Sequence, residues 1–178
     1  NRQGIVGAGT GATVGKILGM DKSMKSGLGS ASICQRNLVV SAMVAVNAFG
    51  DIYDYEKGKQ IAGPIDDGKI IKTVDVMGKI INDFSDLADK NTTIGIVSTN
   101  AKFDKTKLTK IAQMTHDGFA RSINPVHTGF DGDTIFALST NEIEADLNMV
   151  GVMAANAMSR AIANAIYATN KKESIDLI

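Results

Sequence analysis

Thr92–Ser139 reads TTIGIVSTNAKFDKTKLTKIAQMTHDGFARSINPVHTGFDGDTIFALS, and this stretch decides the architecture. Thr93–Ser98 (TIGIVS) is a short apolar run rich in β-branched side chains, the pattern of a buried strand. Asp104 is a suitable N-cap for a helix that carries Thr106, Leu108, Ile111, Ala112 and Met114 on to Ile123. Pro125 stops it, because proline has no N–H to continue the ladder. Asp133–Ser139 (DTIFALS) is a further strand.

Outward from this core, Ala145–Ala168 reads as a long helix. Its small residues, among them Ala154, Ala157, Ala161 and Ala165, suit tight packing on a sheet or another helix. Upstream, Leu38–Ala48 (LVVSAMVAVNA) reads as a buried strand ended by a turn at Phe49-Gly50-Asp51. Lys72–Leu87 is ambiguous, with Val76, Ile80, Ile81, Phe84 and Leu87 near helical spacing. Tyr53–Gly68 is polar and broken by Gly58, Gly63-Pro64 and Asp66-Asp67-Gly68, so it is expected to be a surface loop. Gly4–Gly19, followed by Gly27 and Gly29, is expected to be loop or short strand with close backbone approach. The tail from Lys171 to Ile178 is expected to fray. Strands alternating with helices predict one α/β or α+β layered domain over residues 1–178.

Composition narrows the function. The 178 residues are 44% apolar and 21% charged, ordinary for a globular domain. Nineteen basic and nineteen acidic residues cancel, so nothing electrostatic points to nucleic acid or an anionic membrane as partner. The same balance is compatible with association into oligomers. A lone cysteine, Cys34, allows no intrachain disulfide and favours a reducing, cytoplasmic compartment. The opening residues show no signal-peptide pattern, and no apolar run reaches the roughly 18 residues of a membrane span. Glycine-rich sequence starts within a few residues of Asn1, as if the chain began inside a larger protein.

Several motifs invite chemistry. Gly7–Gly19 (GAGTGATVGKILG) resembles a phosphate loop, but Ile17 follows Gly15-Lys16 where that motif needs Ser or Thr. It also lacks the strand and acidic partner of a dinucleotide site. What remains is a tight loop, or a glycine-lined wall with Lys16 projecting into an active site. His116 and His127 lack metal-ligand spacing and read as polar positions on a helix face and a loop. Cys34 reads as a small buried hydrophobe. Asp131-Gly132-Asp133 is an acidic turn before a strand, ordinarily solvated; functionally, such a pair could orient a nucleophile. Asn91-Thr92-Thr93 reads as a turn entering a strand. If the chain were cut there, Thr92 would carry its own base, an α-amine of pKa about 7.7–8.

Together, in order, GAGTGATVGK, SAMVAVNAFGDI, NTTIGIVSTNAKF, HDGFARSINPVHT and DGDTIFALST resemble the C-terminal half of the L-aminopeptidase/D-esterase (DmpA-type) family, nearest its branch with the nylon-oligomer (6-aminohexanoate oligomer) hydrolases. The match runs from about Gly4 to about Ala168.

The resemblance implies a four-layer α/β/β/α sandwich of the N-terminal-nucleophile type. It implies a precursor cut between Asn91 and Thr92, giving residues 1–91 as the end of an α chain and 92–178 as a β chain. Thr92 then matches the catalytic nucleophile. Asn47 matches an asparagine that holds the substrate carbonyl or its oxyanion, and Lys16 a lysine of the active-site wall. Asp131 and Asp133 match positions that orient the nucleophile and its amine. No cofactor and no metal are implied; the partner is a small peptide or amide substrate, and the assembly a homo-oligomer, a tetramer of processed units. The family precursor carries about another half-chain ahead of GAGTG, so a sheet edge or face is expected to lie uncovered here. An acyltransferase of the ornithine acetyltransferase type and a non-catalytic member of the fold are the competing expectations.

Overall fold

The computed structural model describes residues 2–79 and 91–170. Two short 3₁₀ turns, Gly7–Gly9 and Met20–Lys22, flank β1 (Thr13–Val14), which pairs with β2 (Met24–Lys25). Next come β3 (Leu28–Gln35), β4 (Leu38–Ala45), β5 (Asp51–Asp54), β6 (Lys59–Ala62), β7 (Ile65–Asp66), β8 (Lys69–Ile70) and the short helix α1 (Thr73–Met77). The decisive stretch supplies β9 (Ile94–Ala101), α2 (Lys105–Ser122), β10 (Ile123–Asn124) and β11 (Thr134–Ile143), before α3 (Leu147–Asn170).

The main sheet has the order β11-β9-β4-β3. β11 runs parallel to β9, while β9–β4 and β4–β3 are antiparallel. α2 is thus the crossover between two parallel neighbours, the connection a parallel pair requires. Alternation decides which side chains face it. Val40, Ala42 and Val44 of β4 and Val97 of β9 point into the core, where α3 lies. Met158, Ile162 and Ile166 of α3 are fully buried there, each contributing about 1.5–3 kcal/mol of apolar burial. The small residues of α3 do what their sequence suggested. A Cβ on Gly29 of β3 would fall 2.0 Å from the carbonyl oxygen of Ala161, so strand and helix touch through backbone. Asp104 caps α2 by accepting from the Lys107 amide at 2.8 Å.

The opposite face of the sheet is different. Val39, Met43, Ile94, Ile96, Phe136 and Leu138 alternate with the core residues and are exposed. The described residues therefore form a helix layer and one sheet of the expected sandwich, with an apolar sheet face open. No helix among them is long and apolar enough to cross a membrane.

Three expectations change. Tyr53–Gly68 is not a loop: it holds parts of two hairpins. β5 and β6 turn at Gly58, at φ +59, and join β10 in a three-stranded sheet that buries Ile52, Ile61 and Ala62. β7 and β8 turn through Asp67-Gly68, both at positive φ, a dipeptide favoured in tight hairpins. The stretch around Gly29 makes the close backbone approach expected of it, but within a full strand of eight residues rather than a loop or short strand. Cys34 is exposed, since β3 is an edge strand and its end runs past the helix layer. Of the ambiguous Lys72–Leu87 segment, α1 is helical; Ile80, Ile81, Phe84 and Leu87 lie outside the described residues, as does the tail from Lys171 to Ile178.

Candidate active site

The parallel ladder of β9 and β11 begins just ahead of the strands proper, with a bridge between Asn91 and Asp131. This register places the Asn91-Thr92-Thr93 step beside Asp131-Gly132-Asp133. The Gly132 amide donates to the Asn91 carbonyl at 3.0 Å, and the Thr134 amide to the Thr93 carbonyl at 3.1 Å. The Thr92 hydroxyl donates to the same Asn91 carbonyl at 2.7 Å. A Cβ on Gly132 would lie 2.8 Å from the Thr92 hydroxyl oxygen, so any larger residue there displaces that side chain.

The third wall is the chain leaving β4. The Thr92 amide donates to the Asn47 carbonyl at 3.0 Å. The Asn47 side-chain oxygen accepts from Lys16 Nζ at 2.7 Å and from the Thr13 amide at 3.2 Å. Lys16 Nζ also reaches the Asn47 carbonyl at 3.4 Å. Lys16 arrives through the glycine-rich loop, where the Gly15 and Lys16 amides donate to the carbonyls of Gly50 and Phe49. Gly15 sits at φ +69, and a Cβ there would lie 2.3 Å from the Gly63 carbonyl carbon. The loop makes the close backbone contact expected of it and brings Lys16 to Asn47.

The carboxylates lie one residue away from Thr92 rather than on it. Asp131 accepts from the Thr128 amide and hydroxyl at 3.1 and 2.7 Å and from the Phe49 amide at 3.4 Å. Asp133 accepts from the Thr93 amide at 2.9 Å and pairs with His127 Nδ1 at 2.9 Å. His116 Nδ1 lies 3.2 Å from His127 Nε2.

Electrostatics follow from burial. Lys16 is 4% exposed, and desolvation of its ammonium lowers its pKa to about 8 against the pull of Asp131. Burial raises the Asp133 carboxyl above its ordinary value. The Thr93 amide and His127 oppose that rise, and Asp131 adds to it.

All five candidate positions, Lys16, Asn47, Thr92, Asp131 and Asp133, therefore converge around the Asn91–Thr92 peptide. His116 lies on α2 and His127 in the loop after it, as read from the sequence; the structure adds that the two rings meet and that His127 pairs with Asp133. Nothing in their spacing of eleven residues announced this, because α2 and the loop behind Pro125 bring them together. Thr128 and Gly132 were also missed, although Thr128 and Asp131, three apart, are a common self-bonding turn pattern.

The model of peptidase family S58 matches residues 1–176. An uncharacterized aminopeptidase of Mycobacterium leprae is 32% identical over 190 residues, covering 97% of this chain and 51% of that protein. A 6-aminohexanoate-oligomer endohydrolase of Kocuria is 32% identical over 151 residues, 80% of this chain and 41% of that one. The chain spans about half the length of the curated relatives it matches. Among solved structures, the L-aminopeptidase D-Ala-esterase/amidase of Ochrobactrum anthropi aligns at TM-score 0.62 and 18% identity, over 95% of this chain and 46% of its own. A Burkholderia β-aminopeptidase aligns at 0.63 and 21%, over 95% and 47%. The fold is that of the DmpA-type variant of the N-terminal-nucleophile hydrolases. With the family model covering nearly its whole length, the chain belongs to peptidase family S58.

Proposed function

We propose that this chain carries the catalytic centre of a self-cleaving amide hydrolase, with Thr92 as nucleophile after a cut at Asn91–Thr92. One observation supports this above the others: the Thr92 hydroxyl sits 2.7 Å from the Asn91 carbonyl oxygen, and the same oxygen already accepts from the Gly132 amide. A carbonyl held by a fixed backbone donor is polarised toward attack, and that donor stabilises the charge that develops on it.

In the uncut chain the Thr92 hydroxyl attacks the Asn91 carbonyl carbon. The C–N bond breaks, the Thr92 nitrogen takes the proton, and an ester forms that water opens to the Asn91 carboxylate and free Thr92. The new α-amine, held at the Asn47 carbonyl, takes the hydroxyl proton when Thr92 attacks a substrate amide. The NH₂ end of Asn47 is oriented by Lys16 and Thr13 to donate to the substrate oxyanion; such a donor is typically worth about 2.7–4 kcal/mol. The acyl-enzyme then yields to water. Asp131 holds the Phe49 and Thr128 backbone around the site, and Asp133 holds the Thr93 amide.

The names of the similar proteins make small peptides and ω-amino acid amides the substrate classes to try first. The open sheet face is the surface on which the second sheet of the sandwich packs, and the working form is an oligomer of processed units. Denaturing intact-mass spectrometry tests the core of the reading. The wild type should give two pieces whose masses sum to the chain plus one water, one of them starting at Thr92. Thr92→Ala should give one uncut mass and no amide hydrolysis. Cleavage at the same bond in Thr92→Ala would end the proposal.

A further inference from the structure

Three side chains outside the Thr92 contact shell form a line. His116 Nδ1 is 3.2 Å from His127 Nε2, His127 Nδ1 is 2.9 Å from Asp133 Oδ2, and Asp133 Oδ1 accepts the Thr93 amide at 2.9 Å. The only neutral arrangement that satisfies both imidazole contacts runs one way. His127 donates from Nδ1 to the carboxylate, and its bare Nε2 accepts the Nδ1–H of His116. Burial keeps His116 below the ordinary imidazole pKa, which favours that neutral state.

The Asp133 side chain is 3% exposed, so its carboxylate needs donors from the protein rather than from water. It has two: the backbone amide next to Thr92, and His127. His127 itself sits at φ +55, a left-handed backbone conformation uncommon outside glycine, though histidine, like asparagine and aspartate, adopts it more often than other side chains do. Its ring stacks on Phe119 with centroids 6.1 Å apart and meets His116 edge-on at 4.8 Å. The ring is thus held in place from α2.

We propose that His127, backed by His116, is a positioning residue for Asp133: it holds the carboxylate in the orientation that accepts the Thr93 amide, and through it fixes the backbone on which Thr92 stands. The kinetic part rests on the amide-hydrolase reading; the geometric part does not. The charged and titratable groups around this line are Asp131, two residues before Asp133, and Asp117, beside His116 on α2.

The test separates the donor from the backbone. His127→Gly relieves the positive φ and removes the donor; His127→Asn tolerates the φ and keeps a donor at the Nδ position. The titration of the Asp133 carboxyl is followed by carbon-13 NMR in the intact protein. Loss of the His127 donor should move its midpoint up by about one unit in His127→Gly, with most of the shift reversed in His127→Asn. In the same variants kcat on an amide substrate should fall about tenfold in His127→Gly with KM little changed, and recover to within about threefold in His127→Asn. Should His127→Gly fail to fold, His116→Phe keeps the contact with Phe119 and removes only the hydrogen bond, and the Asp133 midpoint should still rise. An unmoved midpoint in the folded variants, or equal behaviour of the glycine and asparagine variants, overturns the proposal. A wild type that neither cuts nor hydrolyses anything sinks the amide-hydrolase reading alone, because the Asp133 titration still reports on His127.

Discussion

The amide nitrogen of Thr92 and the ammonium of Lys16 share one acceptor, the carbonyl oxygen of Asn47, at 3.0 and 3.4 Å. Whatever charge Lys16 carries is therefore next to the nitrogen that becomes the α-amine after a cut. A neighbouring positive charge favours the neutral amine, the form able to accept the hydroxyl proton. Lys16, with its pKa lowered to about 8, is still charged at neutral pH.

Lys16→Met should therefore raise the acid limb of the kcat/KM profile. The amine loses its like-charged neighbour, its pKa climbs, and a smaller fraction is free base at pH 7. A fall of at least about tenfold at pH 7, partly recovered at pH 9, is the expected pattern. Equal loss at all pH values would assign Lys16 to substrate binding instead. The measurement is a pH–rate series on processed enzyme.

Gly132→Ala probes the scissile carbonyl. The added Cβ meets the Thr92 hydroxyl oxygen at 2.8 Å and must push it aside. A displacement of this kind at a reacting group costs on the order of a hundredfold in rate. Self-cleavage, timed by denaturing electrophoresis, should slow by about that factor while thermal stability changes little, because Gly132 is exposed.

Asp51 predicts a pH effect on stability remote from Thr92. It is buried, accepts from the Thr73 amide at 3.0 and 3.1 Å and from the Thr73 hydroxyl at 2.6 Å, and ties α1 to β5. Burial outweighs those bonds and raises its pKa from 3.8 to about 6. The folded state then binds the proton more tightly than the unfolded one, so this contribution to stability falls as pH rises from about 4 to 6. In Asp51→Asn that slope should vanish. The difference in unfolding free energy between variant and wild type should change across the window by at most about 3 kcal/mol, read by urea denaturation. A parallel pair of curves would refute it.

Gly29→Ala tests the contact of β3 with α3. Its Cβ would meet the Ala161 carbonyl oxygen at 2.0 Å and the Ala165 amide nitrogen at 2.6 Å, both backbone atoms that cannot rotate away. Strand and helix must separate, with a loss of about 1–3 kcal/mol or more. A melting temperature within a degree of wild type would show that the packing is looser than described.

Much of this was open to the sequence because local physics carries it. The β-branched runs of β4, β9 and β11, the Asp104 cap and the small-residue face of α3 are local patterns, and each became the element it announced. The motifs in series also led to Lys16, Asn47, Thr92, Asp131 and Asp133, five positions spread over more than a hundred residues. Tertiary structure decided what those residues touch. Gly29 was expected in loop or short strand with close backbone approach; tertiary structure supplies the partner, a helix carbonyl that meets a full strand. Asp131 and Asp133 were expected to orient the nucleophile and its amine; the parallel register of β11 on β9 gives them Thr128, Phe49, Thr93 and His127 as partners. His127 reaches Asp133 only because α2 and the loop after it close back on the ladder. Sequence determines which residues prefer strand, helix or turn, since those preferences act over a few positions. Register and crossover, set by the burial of the whole core, decide which polar atoms end up within 3 Å of one another.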